Sequence, residues 1–143
     1  MTLAANPQNP YESFLVAASA GCGKTYQLSQ RFLCLVAAGA DPAQILTVTY
    51  TRKAVAEMRE RIIKDAMKLA SDADAQENFD RLMSDFYEVI KEKTHHEGRD
   101  CPAPPRGARE TAETILAATQ SIRISTIDSI FYEWSNKFGD ELL

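Results

Sequence analysis

Lys24 and Thr25 close the run Ala18-Ser19-Ala20-Gly21-Cys22-Gly23-Lys24-Thr25. That run follows the phosphate-binding pattern G-x-x-x-x-G-K-[ST], with Ala18 in place of the first glycine. The residue types suit the chemistry. Gly21 and Gly23 lack a Cβ, so the backbone can turn sharply and aim N–H groups at an anion. A helix starting near Lys24 adds the positive end of its dipole. Lys24 would reach the β- and γ-phosphates of a bound nucleotide, and Thr25 would offer its hydroxyl to Mg²⁺. Ala18 falls at the strand end, before the part of the loop that wraps the phosphates, where a methyl group is tolerated at negative φ. Cys22 points into the site by position and reads as a small loop filler.

A second group of polar residues lies at Thr49-Tyr50-Thr51-Arg52-Lys53, and a third at Thr126 to Ser129. Hydroxyls, backbone N–H groups and a helix N-terminus after Thr51 can hold the phosphates of a single strand. Tyr50 can stack on a base, and Arg52 and Lys53 add positive charge. The plain alternative for this stretch is a β–α turn followed by a solvated basic helix. Asp128 has a rival reading as the Mg²⁺-holding aspartate of a Walker B strand, but ISTID is less apolar than such strands usually are. His95, His96 and Cys101 lack a convincingly spaced fourth ligand and read as a polar loop.

These residues need elements to position them. FLVAAS (14–19) reads as a buried strand. Leu28, Phe32, Leu35 and Val36 recur at helical spacing over 24–38, and Gly39 suits the C-cap. Asp41-Pro42 opens one brief turn. ILTVTY (45–50) is β-branched and reads as a second strand. Thr51 can cap a helix whose apolar face runs from Val55 through Met58, Ile62 and Ala66 to Leu69. SDADAQ (71–76) reads as a polar break. A further amphipathic helix is marked by Phe79, Leu82, Met83, Phe86 and Ile90. HHEGRDCPAPPRG (95–107) reads as a loop, 108–120 as a helix, IRISTI (122–127) as a third strand, and Phe131, Trp134 and Phe138 mark a last helix. Strands alternating with helices predict a parallel sheet with helices on its faces.

With 143 residues the chain suits one compact domain. Its 45% hydrophobic and 25% charged content places it among ordinary globular proteins, and no apolar run reaches membrane-spanning length. The N-terminus does not resemble a secretory signal, and three scattered cysteines point to reduced thiols and a cytoplasmic location. The net charge is −4, but residues 51–70 carry six basic and three acidic side chains. A broad basic footprint for nucleic acid is absent, so contact with a phosphate backbone is expected to be local to 51–70.

The segment ILTVTYTRKAVAEMRERI (45–62) resembles T-F-T-N-K-A-A-x-E-M-x-x-R-I of UvrD/Rep-like superfamily 1 DNA helicases. Thr49, Thr51, Lys53, Ala54, Glu57, Met58, Arg61 and Ile62 match; Tyr50 replaces Phe and Arg52 replaces Asn. RISTIDSI (123–130) resembles the family's T-[IFL]-H-S-F segment through Thr126 and Ser129, with Asp128 where His is common. The wording A-S-A-G-x-G-K-T most resembles the branch containing RecB and AddA. The resemblance covers about residues 12–65 and 122–135.

The resemblance implies an incomplete RecA-like P-loop NTPase fold with a helical excursion between the second and third strands. Residues 1–143 would be a partial N-terminal ATP-binding domain: 12–65 with the P-loop and second motif, 71–120 as the excursion, and 122–140 as the third strand and helix. It implies ATP and Mg²⁺ held by residues 18–26, and single-stranded DNA at Thr49–Lys53, Thr126, Asp128 and Ser129. It further implies 3′ to 5′ movement and partnership with nuclease or helicase subunits of a recombination complex. Tyr26 is read either as stacking on adenine or as a helix-surface residue, and Gln8 is the upstream glutamine able to read the adenine edge. The family's second motor domain, D-E-x-x segment and arginine fingers are not recognisable in these 143 residues, so this piece is expected to bind ATP and hydrolyse it hardly at all. Two other readings stay open: a standalone P-loop nucleotide-binding module, and a small P-loop kinase with 71–120 as its lid.

Overall fold

The computed structural model describes residues 6–16 and 23–142. Helix α1 spans Lys24–Ala37 and ends as its composition predicts. Gly39 takes φ 114°, a left-handed region that a Cβ disfavours, and its N–H donates to the Val36 carbonyl. Asp41 then caps the brief turn Pro42–Gln44 by accepting from the Ala43 N–H. Strand β1 is Leu46–Thr49.

Helix α2 spans Arg52–Ser71, with the Thr51 hydroxyl accepting from the Ala54 N–H at 3.1 Å. It buries Met58, Ile62, Ala66 and Leu69, the predicted stripe. Helix α3 spans Ala73–His96, α4 Ala108–Ala117, β2 Arg123–Thr126 and α5 Ile127–Leu142.

β1 and β2 pair in parallel, Leu46 opposite Arg123 through to Thr49 opposite Thr126. The crossover between them is α2, α3 and α4, since parallel strands cannot be joined by a tight turn. The architecture is an incomplete parallel sheet flanked by helices, with a helical excursion between the strands, consistent with part of a RecA-like P-loop NTPase fold.

The core lies among the helices. Phe86, Leu33, Ile62, Met83, Ile115 and Val36 are its largest fully buried side chains. Polar clamps join the pieces. The Arg59 guanidinium donates to the Thr119 and Ile122 carbonyls, fixing the approach to β2 against α2. Arg106 reaches the end of α1 through its backbone N–H to Ala37 and its guanidinium to the Val36 carbonyl. The start of α4 is capped from α3, where the Asp80 carboxylate accepts from the Ala108 N–H at 2.7 Å.

Several expectations need correction. The polar break at 71–76 is a single residue: Asp72 ends α2, and its carboxylate accepts from the Asp74 and Ala75 N–H groups, so α3 starts at once. His95 and His96 belong to the last turn of α3, not to the loop. α4 ends at Ala117 and a short turn, Thr119–Ser121, comes after it. Ile127 opens α5 instead of closing β2.

Leu28 is exposed; Ser29 takes the buried place on α1. Of FLVAAS, Phe14–Val16 form no strand, and Leu15 is 98% exposed. Residues 17–19 lie outside the described residues. The aromatic positions Phe131, Trp134 and Phe138 of α5 are exposed, while Ile130, among the described residues, is buried.

Candidate functional site

Two groups of predicted residues meet at one end of the sheet. Thr49 and Thr126 are register partners, so the loops after β1 and β2 leave side by side at the carboxyl ends of parallel strands. Open α/β sheets bind ligands at that end. The Thr49 hydroxyl donates to the Thr51 carbonyl at 3.3 Å, and the Thr51 hydroxyl caps α2. The Thr126 hydroxyl accepts from the Ser129 N–H at 3.2 Å and pairs with the Ser129 hydroxyl at 2.8 Å, a cap for α5. Two helix N-termini therefore open beside each other.

Tyr50 is 85% exposed. Arg52 and Lys53 are exposed, Lys53 lying 3.8 Å from Glu57 across one helical turn. Such an exposed pair is worth little, so the lysine is cheaply redirected to another anion. Asp128 sits exposed in the first turn of α5.

Ala18, Ser19, Ala20, Gly21 and Cys22 lie outside the described residues. Gly23, next in the chain, takes φ 76°, ψ 21°, the left-handed conformation that glycine adopts without strain. Among the described residues no side chain caps the helix it starts, and its first turn carries no acidic residue. Lys24, Thr25 and Tyr26 are exposed there. A left-handed glycine followed by a helix that opens with Lys-Thr and has no carboxylate in its first turn is compatible with a triphosphate and its metal.

Gln8 and Tyr26 line the same cavity of about 320 Å³. The Gln8 side-chain amide donates to the Gln27 side-chain oxygen at 3.2 Å, holding the N-terminal segment against α1. Lys24 and Gln27 line a neighbouring cavity of about 280 Å³.

Residues without an assigned role in the sequence complete the first cavity. The Arg61 guanidinium lies 5.3 Å from the Tyr26 ring centroid, a cation–π distance. Asp65 holds Arg61 at 3.2 Å, and the same carboxylate oxygen accepts from the Ser29 hydroxyl at 2.7 Å and the Gln30 amide at 3.1 Å. One oxygen thus joins α1 to α2. Ser29 at a buried position of an otherwise apolar stripe is the signal that betrays this junction in the sequence. Among the described residues no group of His, Cys, Asp and Glu is placed to hold a metal. Among them also, no helix is long and apolar enough to cross a membrane.

The fold is that of an incomplete α/β domain of the RecA-like P-loop NTPase class. The comparisons with known proteins name its family: the UvrD/REP helicase N-terminal domain matches residues 3–141, and the chain belongs to it. The chain is 42% identical over 76 residues to an ATP-dependent helicase/nuclease subunit of Enterococcus faecalis, covering 51% of the chain and 6% of that protein. It is 35% identical over 78 residues to the exonuclease/helicase subunit RexA of Streptococcus pneumoniae, covering 52% and 6%. It is 52% identical over 48 residues to an ATP-dependent helicase/nuclease subunit of Heliobacterium modesticaldum, covering 34% and 3%. The matched region is thus a small part of each relative's length. No solved structure gives a significant match.

Proposed function

We propose that this chain is the ATP-binding part of an ATP-dependent DNA helicase or translocase of the RecB/AddA kind, acting in repair and recombination with 3′ to 5′ movement. Residues 18–26 cradle the triphosphate, with Lys24 on the β- and γ-phosphates and the Thr25 hydroxyl on Mg²⁺. Bound there by the Thr25 hydroxyl, the metal would supply positive charge to offset that of the phosphates. Thr49, Thr51, Thr126 and Ser129 hold phosphates of a single DNA strand, Tyr50 stacks on a base, and Arg52 and Lys53 add charge. Asp128 lies at the edge of that path. The partners are single-stranded DNA and further subunits of a recombination complex, in keeping with relatives that are themselves named as subunits.

One observation carries this reading: the register pairing of Thr49 with Thr126 sets the two motif loops together at one end of the sheet. Helix α2 starts in that loop at Arg52 and reaches Arg61 beside Tyr26, nine residues on, which is about 14 Å at 1.5 Å per residue. A rigid helix therefore spans the DNA loop and the nucleotide helix, the geometry that lets one bound ligand sense the other.

Titration with a fluorescent ATP analogue and with labelled oligo(dT) tests it. Lys24→Ala should abolish nucleotide binding and leave DNA binding in place. Unchanged nucleotide affinity would remove the P-loop assignment. Nucleotide binding that ignores DNA in the wild-type chain would favour a nucleotide-binding module instead.

A further inference from the structure

Besides the Gln8–Gln27 bond, the residues before the P-loop are held to α1 by Arg31. Arg31, two turns along the helix from Lys24, aims its guanidinium at the strap 6–12. Its Nη1 donates to the Pro7 carbonyl at 2.9 Å and to the Asn9 carbonyl at 2.7 Å; its Nη2 donates to the Glu12 carbonyl at 2.8 Å. The same guanidinium lies 5.6 Å from the Phe14 ring centroid.

The two carbonyls on Nη1 bracket Gln8, so the backbone on either side of that residue is fixed to one nitrogen. Local bonds stiffen the strap further: the Gln8 N–H donates to the Asn6 side-chain oxygen, and the Tyr11 N–H to that of Asn9, which is buried. The result leads the Gln8 amide to Gln27 and into the wall of the cavity shared with Tyr26 and Arg61.

A glutamine amide offers a donor and an acceptor side by side. That pattern matches the N6–H and N7 of adenine and mismatches the O6 and N7 acceptors of guanine. Its power to discriminate depends on where it is held, because a misplaced amide gives neither base two bonds. A planar guanidinium fork can bind several carbonyls at fixed angles; an ammonium is a point charge and cannot reproduce that fork.

We propose that Arg31 is a positioning residue for base selectivity: by clamping the carbonyls on both sides of Gln8, it sets that amide to prefer an adenine nucleotide over a guanine one. The proposal rests on Gln8 as the reader of the base.

The test uses the whole chain and three ligands with Mg²⁺: ATP, GTP and inorganic tripolyphosphate. Arg31→Lys should lower the ATP-to-GTP affinity ratio roughly fivefold, the worth of one net hydrogen bond, with tripolyphosphate affinity unchanged. Gln8→Ala should lower the ratio similarly, and adding Arg31→Lys to it should lower it no further. In ligand-free protein the amides of Gln8, Asn9 and Tyr11 should exchange faster in Arg31→Lys.

Glu12→Gln weakens the strap's tether to α3, the 2.8 Å bond from Lys93 to the Glu12 carboxylate, and should keep the wild-type ratio. An unchanged ratio or unchanged exchange in Arg31→Lys overturns the proposal. So does an equal loss for all three ligands, or a matching effect from Glu12→Gln, since each marks a structural role only. If Gln8→Ala leaves the ratio unchanged, the base-reader assignment itself fails, and the proposal with it.

Discussion

Replacing Asp65 by alanine should destabilise the chain by about 3 kcal/mol, because a single carboxylate oxygen serves three donors from two helices. The largest share comes from Ser29. Its hydroxyl is fully buried and its bond to Asp65 is short, so removing the acceptor strands a donor away from water at a cost of about 1–3 kcal/mol. The share from Arg61 is smaller. The arginine side chain is 41% exposed against 14% for Asp65, so water replaces much of the lost attraction and the pair is worth about 1 kcal/mol at most. Gln30 is partly exposed and can rehydrate.

Urea unfolding followed by far-UV circular dichroism reads the change directly, since α1 to α5 dominate the signal. A cycle with Ser29→Ala isolates the junction: the serine substitution should cost about 1–2 kcal/mol less in the Asp65→Ala background than in wild type. A loss below about 1 kcal/mol for Asp65→Ala, or additive effects of the two substitutions, would show that this carboxylate does not tie α1 to α2.

Replacing Arg52 and Lys53 together by alanine should weaken single-strand binding and reduce the slope of log affinity against log salt by about 1.4, two counterions at 0.7 each; an unaltered slope removes both from the DNA path. Thr51→Ala should cost about 1 kcal/mol in urea unfolding and Thr51→Ser much less, because the hydroxyl accepting from Ala54 caps α2. Burial pushes the Cys34 thiol up from 9.0 to about 12, with the Arg31 charge opposing it. The folded chain then keeps a proton that the unfolded chain releases above pH 9. Stability is fully present below that pH and should fall by about 2–3 kcal/mol by pH 11, a fall that Cys34→Ala flattens in unfolding curves taken from pH 8 to 11. Tyr11, also pushed up to about 12 by burial, adds to the fall above pH 10.

Much of the fold is readable residue by residue. The stripe from Met58 to Leu69 predicts the buried face of α2, Thr51 predicts its cap, and Gly39 predicts the end of α1. Each is a pattern within one helix or its flanks. The misreadings have physical reasons too. Asp72 serves at once as the end of α2 and the cap of α3, so a polar run of six residues costs one residue of helix. Phe14–Val16 are apolar and strand-like in type, but a strand exists only where a neighbour supplies hydrogen bonds, and these three residues have none in the described sheet. The aromatic spacing of α5 matches a helix, yet spacing cannot say which face is covered.

The candidate site divides along the same line. The sequence alone determined which chemistry is present: a lysine and threonine after glycines, hydroxyls beside Arg52 and Lys53, and the order of the motifs that mark the helicase family. Those signals are local, carried by neighbours along the chain. Only the tertiary structure decided which residues meet. Thr49 stands beside Thr126 because two parallel strands pair across a three-helix crossover. Gln8 reaches Gln27, 19 residues on, and Asp65 reaches Ser29, 36 residues away, because α1 packs on α2 and the strap is clamped by Arg31. Such pairings come from packing of apolar faces and the satisfaction of buried polar groups, neither of which is written at any one position of the chain.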